Sequence, residues 1–200
     1  MDEGKKWPVV LVTGASVGIG LALVHALRKT RRYRVVATAR AASLDRLRAA
    51  GIDEDECTLL RPLDVTSQEQ CRRTIEEVAV HWQGVDILIN NAGISYRAVV
   101  EHLCEEDLFK QLAVNFIGPM QLIRLVLPYM RSQREGRIIN VSSVGGMMAM
   151  PTMGAYSASK FALEGASEAL WYEVRPWNIK VTLVQPGFVR SDSFERVYLR

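Results

Sequence analysis

Short, continuous apolar runs alternate along this chain with segments whose apolar residues recur at helical spacing. Five of the runs, "PVVLVTG", "YRVVATAR", "VDILINNAG", "RIINVSS" and "IKVTLVQPG", are rich in β-branched residues and uniformly apolar, as strands buried on both faces are. A sixth, "CTLLRPLDV", is weaker, because Pro62 cannot donate to a central ladder and so predicts a bent or edge strand.

The intervening segments predict helices. The clearest runs from Ser67 to Trp82, where Ser67 and Gln70 have the spacing of a capping box, Gly84 follows the end, and Ile75, Val78, Ala79 and Trp82 mark one apolar face. Residues 105–131 and 155–175 carry longer helical patterns, and Pro119 and Pro128 predict that the first is kinked or divided. Strands alternating with helices imply a Rossmann-like, doubly wound α/β fold: a parallel sheet with helices on both faces. Ligands in such sheets bind outside the carboxyl ends of the strands, at the topological switch point. No internal repeat, low-complexity tract or linker divides the chain, so residues 1–200 are expected to form one nucleotide-binding domain.

Composition narrows the function classes. The apolar runs are broken by charge well below the ~18 residues of a membrane span, and the start "MDEGKKWP" has no apolar signal region. The expectation is a cytoplasmic protein without a transmembrane segment. Cys57, Cys71 and Cys104 are odd in number and far apart, which fits reduced thiols. His25, His81 and His102 are equally scattered, no pair has zinc-ligand spacing, and no metal is expected. The basic run "RKTRRYR" could bind a membrane or nucleic acid, but it also reads as a solvated helix end whose cations complement the dipole, and no nucleic-acid partner is expected.

"VTGASVGIG", after the first predicted strand, fits two motifs. As G-x-S-x-G it is a nucleophile elbow with Ser16 the nucleophile, which needs an acid and then a histidine downstream; the last histidine here is His102, and the loop follows the first strand instead of a later, central one. As a phosphate loop, Gly14 makes the tight turn, while Gly18 and Gly20 let backbone and helix approach a pyrophosphate at the helix N-terminus. The G-x-x-x-G-x-G spacing differs from the usual G-x-G-x-x-G and needs support from elsewhere. Such support stands at the end of the second strand, where an NAD-binding fold places an acidic side chain on the adenosine ribose but this chain has Ala39-Arg40. An arginine there pairs with a 2′-phosphate, so NADP(H) is expected over NAD(H).

Tyr156 and Lys160 are spaced i, i+4 on a predicted helix, and an ammonium beside a phenol stabilises its phenolate, making a physically sensible proton-transfer pair. Alone, the pattern also fits a surface tyrosine and lysine. Ser143 ends the strand "RIINVSS", where its hydroxyl would orient a substrate oxygen. Asn115 is a polar residue among apolar neighbours: either a buried amide satisfied by backbone or the holder of a water in a proton path.

In order, Thr13 to Gly20, Asp64-Val65, Asn90 to Gly93, Asn115, Ser143, Tyr156 with Lys160, and Pro186-Gly187 resemble the motif series of a classical short-chain dehydrogenase/reductase over nearly the whole chain. The resemblance implies that Tyr156 is the general acid-base, that Lys160 binds the nicotinamide ribose and lowers the tyrosine pKa, that Ser143 positions the reacting oxygen, and that Asn115 anchors a relay water. It places Gly14, Ser16, Gly18, Ile19, Gly20 and Arg40 on the phosphates and ribose of the cofactor, Asp64 and Val65 by the adenine, and Asn91, Ala92 and Gly93 on the cofactor wall. Pro186, Gly187, Val189 and Ser191 would border the nicotinamide. The segment from Ser142 to Gly165 further resembles the branch of 17β-hydroxysteroid and retinol dehydrogenases, which implies a bulky apolar carbonyl or alcohol substrate, with Met147, Met148, Met150 and Met153 as an adaptable wall.

The family continues past the Pro-Gly loop with a substrate-covering segment, a helix and a strand, so a sheet short of an edge strand and a pocket short of a lid are expected from these 200 residues. A homodimer or homotetramer is the family-based expectation. Two other functions stand beside the oxidoreductase: an NADPH sensor without turnover, and a partner chain acting through the family's dimerisation helices.

Overall fold

The computed structural model describes residues 7–189 and the backbone of residues 198–199. Six strands form one parallel sheet: β1 (Val9–Val12), β2 (Arg34–Ala39), β3 (Thr58–Pro62), β4 (Ile87–Asn90), β6 (Gly136–Val141) and β7 (Ile179–Val184), in the order β3-β2-β1-β4-β6-β7. A two-residue strand, β5 (Tyr96–Arg97), pairs in parallel with β8 (Tyr198–Leu199) outside this sheet. Pro62 is the last residue of β3, at the sheet edge, where its missing N–H costs no ladder bond. At the other edge, β7 has Thr182 and Val184 exposed.

Alternation along the strands sorts the core into two layers. Val9 and Leu11 pack with Ile75, Val78, Leu122, Ile123, Val126 and Leu170, whereas Val10 and Val12 pack with Val24, Leu47 and Ile52 on the other face. Helices α3 (Gln68–Trp82), α5 (Gly118–Gln133) and α6 (Gly154–Val174) therefore cover one face, and α1 (Gly18–Thr30) and α2 (Leu44–Ala49) the other. Burial of apolar surface on both faces is what makes these strands continuous apolar runs.

The predicted helix over 67–82 forms, with the Ser67 hydroxyl accepting from the Gln70 N–H at 3.3 Å. The reciprocal half of the capping box does not, because the Gln70 side chain accepts instead from the Asp64 N–H at 2.9 Å. Gln83 closes the helix in the left-handed conformation, followed by Gly84. In the basic run, Arg28 and Lys29 lie in the last turn of α1, Arg28 pairs with Asp55, and Arg34 stacks over Trp82.

The long pattern over 105–131 is one helical run, Glu105–Gln133, long and apolar enough by composition to cross a membrane. Its buried residues Leu122, Ile123, Val126 and Met130 belong to the sheet-facing core. It is divided, but not at a proline: α4 (Glu105–Leu112) passes into α5 through a π-helical turn, Ala113–Ile117, while Pro119 sits harmlessly in the first turn of α5 and Pro128 within it.

Candidate active site

The winding of the sheet reverses between β1 and β4, so their carboxyl ends open a crevice. The Thr13 hydroxyl oxygen accepts from the N–H groups of Asn91 and Ala92 at 2.9 and 3.0 Å, and the Asn91 side chain donates to the carbonyls of Thr13 and Gly14 at 2.9 and 3.1 Å. Thus Asn91, expected on the cofactor wall, also laces the two strand ends together. Gly14 turns at φ 65° with its Cα face against Ala92. Gly20 lies under the loop, where a Cβ would come within 2.4 Å of the Gly14 carbonyl oxygen. The third glycine makes room for the loop itself, while Gly18, at φ 57°, starts the helix.

A cleft of about 440 Å³ runs along these strand ends. It brings together Gly14, Ser16, Ile19, Arg40, Asp64, Val65, Asn91, Ala92, Gly93, Ser143, Tyr156, Lys160, Pro186, Gly187 and Val189 of the residues expected at the site, whereas Gly18, Gly20 and Asn115 do not line it. Ser191 lies outside the described residues. The cleft suits a dinucleotide on its own chemistry. Helix α1 opens onto the glycine turn with no capping side chain and no acidic residue in its first turn, leaving its N–H donors for an anion. Ser43, which sequence reasoning missed, joins Ser16 and Arg40 on the lining.

Tyr156 and Lys160 project from α6, docked on the sheet by a buried amide chain: Asn90 donates to Asn140 at 2.8 Å, Asn140 to Ser167 at 2.7 Å, and Ser167 to the Leu163 carbonyl at 2.6 Å. Gly145 leaves room for the phenol ring, since a Cβ there would lie 3.1 Å from Tyr156 Cε1 and 3.6 Å from Ser143 Oγ. Burial raises the Tyr156 pKa above its ordinary value, and hydrogen bonding with Ser143 pulls it back. The sequence predicted that Lys160 would lower it. In this geometry the Lys160 ammonium is instead 5.8 Å from the ring centroid and donates to the Val141 carbonyl at 2.8 Å, so burial of the phenol dominates.

Asn115 is fully buried in the π turn. Its Oδ1 accepts from the Ile94 N–H at 2.9 Å, and its Nδ2 donates to the Ile94 carbonyl at 2.9 Å and to Ser159 at 3.0 Å. Ser159 in turn donates to the Tyr156 carbonyl at 2.7 Å. Both amide hydrogens are spent on protein, so the side chain ties α6 to the segment after β4. Of the four methionines expected to form a wall, Met150 and Met153 line the cleft, whereas Met147 and Met148 point to solvent, 64% and 56% exposed.

Lys160 is 4% exposed, and burial lowers its pKa to about 8 despite the opposing carboxylate of Glu164 one turn on. Glu164, also missed from sequence, accepts from Ser142 at 2.5 Å and from Gln185 at 2.8 Å, joining the ends of β6 and β7 to α6. Because the folded-state value lies below the ordinary 10.5, the unfolded chain holds this proton more tightly. Below pH 8 both states are protonated and folding bears the full cost; as pH rises from about 8 towards 10.5 the cost is relieved. Lys160→Met is therefore expected to be more stable than the parent at pH 7, by roughly 1–3 kcal/mol after the loss of the bond to Val141. Denaturant midpoints should show the advantage shrinking at pH 10, and an advantage independent of pH would contradict this origin.

A glycine turn feeding an uncapped helix, and a serine, tyrosine and lysine converging on the same parallel-sheet crevice, define a family that the comparisons decide. The model of the short chain dehydrogenase family matches residues 8–199. The chain belongs to the short-chain dehydrogenase/reductase family. It is 41% identical over 181 residues to the 3-ketodihydrosphingosine reductase of Bacteroides thetaiotaomicron, covering 90% of this chain and 63% of that protein. It is 36% identical over 188 residues to a dehydrogenase/reductase SDR family protein 7-like of Drosophila melanogaster, covering 92% and 58%. This short-chain dehydrogenase/reductase sequence thus spans under two thirds of the length of either relative. A short-chain dehydrogenase structure from Streptomyces avermitilis superposes with TM-score 0.87 at 37% identity, covering 96% of this chain and 71% of that one. ElxO with NADP bound superposes with TM-score 0.88 at 27% identity, covering 94% and 76%, and a tyrosine-to-phenylalanine variant of ElxO has been solved with NADPH bound.

Proposed function

We propose that this short-chain dehydrogenase/reductase is an NADP(H)-dependent oxidoreductase acting between a ketone and a secondary alcohol, with a substrate whose body is apolar and lipid-, steroid- or retinoid-like. The observation that carries this reading is the convergence of Ser143, Tyr156 and Lys160 on the crevice that the glycine turn also lines. When bound, the nicotinamide supplies or accepts the hydride. Tyr156 gives a proton to the carbonyl oxygen in reduction and takes it back from the alcohol in oxidation. Ser143, beside the phenol, orients the reacting oxygen, and its hydrogen bond favours the phenolate left after proton transfer, while Lys160 would hold the nicotinamide ribose. Asn115 holds α6 against the segment after β4, so these groups keep their mutual placement; a relay water would meet its free Oδ1 lone pair or its main chain.

The cofactor preference rests on Arg40, exposed at the end of β2 beside Ser16 and Ser43 with no carboxylate in its place. The relatives support the substrate class only by name, one being a reductase of a ketosphingolipid base. Exposed Phe109 and Ile117 on the Glu105–Gln133 run fit a homodimer or homotetramer. Fluorescence titration with NADPH and NADH tests the cofactor assignment: Arg40→Ala is expected to lower the NADPH-to-NADH affinity ratio about tenfold. An unchanged ratio would remove Arg40 from the 2′-phosphate site.

A further inference from the structure

Six buried side-chain polar atoms have no hydrogen-bond partner among the described residues, and four of them belong to β5, its preceding residue and the two helices packed against it: Ser95 Oγ, Arg97 Nε, Gln111 Nε2 and Ser157 Oγ. Ser95 and Arg97 lie in the segment after β4, and α4 and α6, which carry Gln111 and Ser157, both pack against β5. Native interiors leave few such groups unpaired, and Arg97, half-buried, has its Nε among them. None of the ion pairs among the described residues includes Arg97. Among the described residues its Nη2 donates to the Met153 sulfur at 3.5 Å, a weak acceptor.

The backbone holds this guanidinium in place. Tyr96 donates its N–H to Gln111 Oε1 at 2.6 Å, and β5 pairs with β8. Tyr96 is buried at 3% exposed, and Arg97 lines the cleft with Ser95, Tyr96 and the exposed Lys110. Met153, against which Arg97 rests, stands one turn before Tyr156, and its main-chain carbonyl accepts the Ser157 N–H at 2.7 Å. Arg97 is therefore on the Tyr156 side of the crevice, whereas Arg40 follows β2, on the far side of β1. The cleft has a second cationic end that the cofactor reading does not use.

We infer that Arg97, with Ser95 and Lys110, forms an anion-recognition site for a carboxylate or phosphate group carried by the substrate itself; this rests on the oxidoreductase reading for the identity of the ligand as substrate. Carboxylate or phosphate oxygens satisfy the fork of a guanidinium directly, which a neutral lipid ketone does not. Val114, Met150 and Met153 line the same end, so the preferred substrate is amphipathic: an apolar body with one anionic group beyond the reacting carbon.

Calorimetric titration of the protein loaded with NADP⁺ tests this with octanoate, octyl phosphate and 1-octanol as probes. At least one anion is expected to bind about tenfold or more tightly than octanol, and Arg97→Gln to abolish that preference. Tighter octyl phosphate than octanoate assigns the site to phosphate, and the reverse to carboxylate. Equal binding of all three, or a preference that persists in Arg97→Gln, overturns the inference. Should Arg97→Gln fail to fold, Arg97→Lys keeps the charge without the fork and must weaken anion binding several-fold; an unchanged anion affinity is again contrary. Turnover of 2-octanone with NADPH by the unaltered protein tests the underlying reading separately. Its absence beside an intact anion preference would sink the oxidoreductase and leave the anion site.

Discussion

Replacing Tyr156 by phenylalanine is expected to lower carbonyl turnover by about 10³-fold while leaving NADPH affinity within a few-fold. The substitution removes one oxygen and keeps the ring, so the packing of the ring against Gly145 persists. What is lost is the phenolic proton donor that hydrogen-bonds with Ser143 in the cleft. Steady-state rates together with a fluorescence titration separate the two quantities. Loss of NADPH binding in parallel with turnover would assign Tyr156 to cofactor binding alone, and retained turnover would remove it from proton transfer.

The second large effect is expected at Gly20. A Cβ at this position would stand 2.4 Å from the Gly14 carbonyl oxygen and 2.5 Å from Asn91 Nδ2, and the first of these is backbone that cannot step aside. Gly20→Ala must therefore push the phosphate loop out of its turn or lift α1 from it. The expected outcome is a stability loss of about 2–3 kcal/mol and NADPH affinity reduced at least about tenfold. Gly165→Ala on α6 is the control, because nothing lies within 4 Å of its added methyl; there a gain of about 0.5–1 kcal/mol is expected from the helix backbone. Chemical denaturation of both variants, with and without NADPH, measures the difference. Equal effects at the two positions would contradict the close approach at Gly20.

The contrast between these glycines shows how far the sequence could be read. Spacing suggested Gly14, Gly18 and Gly20 as a phosphate loop only with support from the rest of the motif series, and did not show that Gly20 serves the loop's own packing; that depends on how β4 approaches β1. All six sheet strands were legible because burial on both faces leaves continuous apolar runs, and Pro62 correctly marked the edge. The division of the long helix was legible only as a fact: prolines drew attention to it, while the break is a π turn at Asn115. Ser143, Tyr156 and Lys160, which meet at the cleft, were legible as an ordered set. The direction of the Lys160 ammonium was not, because i, i+4 spacing puts two residues on one face of a helix without saying which acceptor each finds. Arg97, Lys110, Glu164 and Ser43 carried no local signal at all. Each is an ordinary polar residue in sequence, and only the fold brings it to the cleft or behind it.

The central claim is hydride exchange with a carbonyl at the Tyr156 end of the cleft, and its most direct test is the near-ultraviolet absorbance of NADPH bound to this protein, followed as apolar ketones with and without an anionic group are added. The account predicts oxidation of NADPH, stoichiometric with alcohol formed, for at least one of these ketones. NADPH that binds and stays unoxidised with every one of them would contradict it.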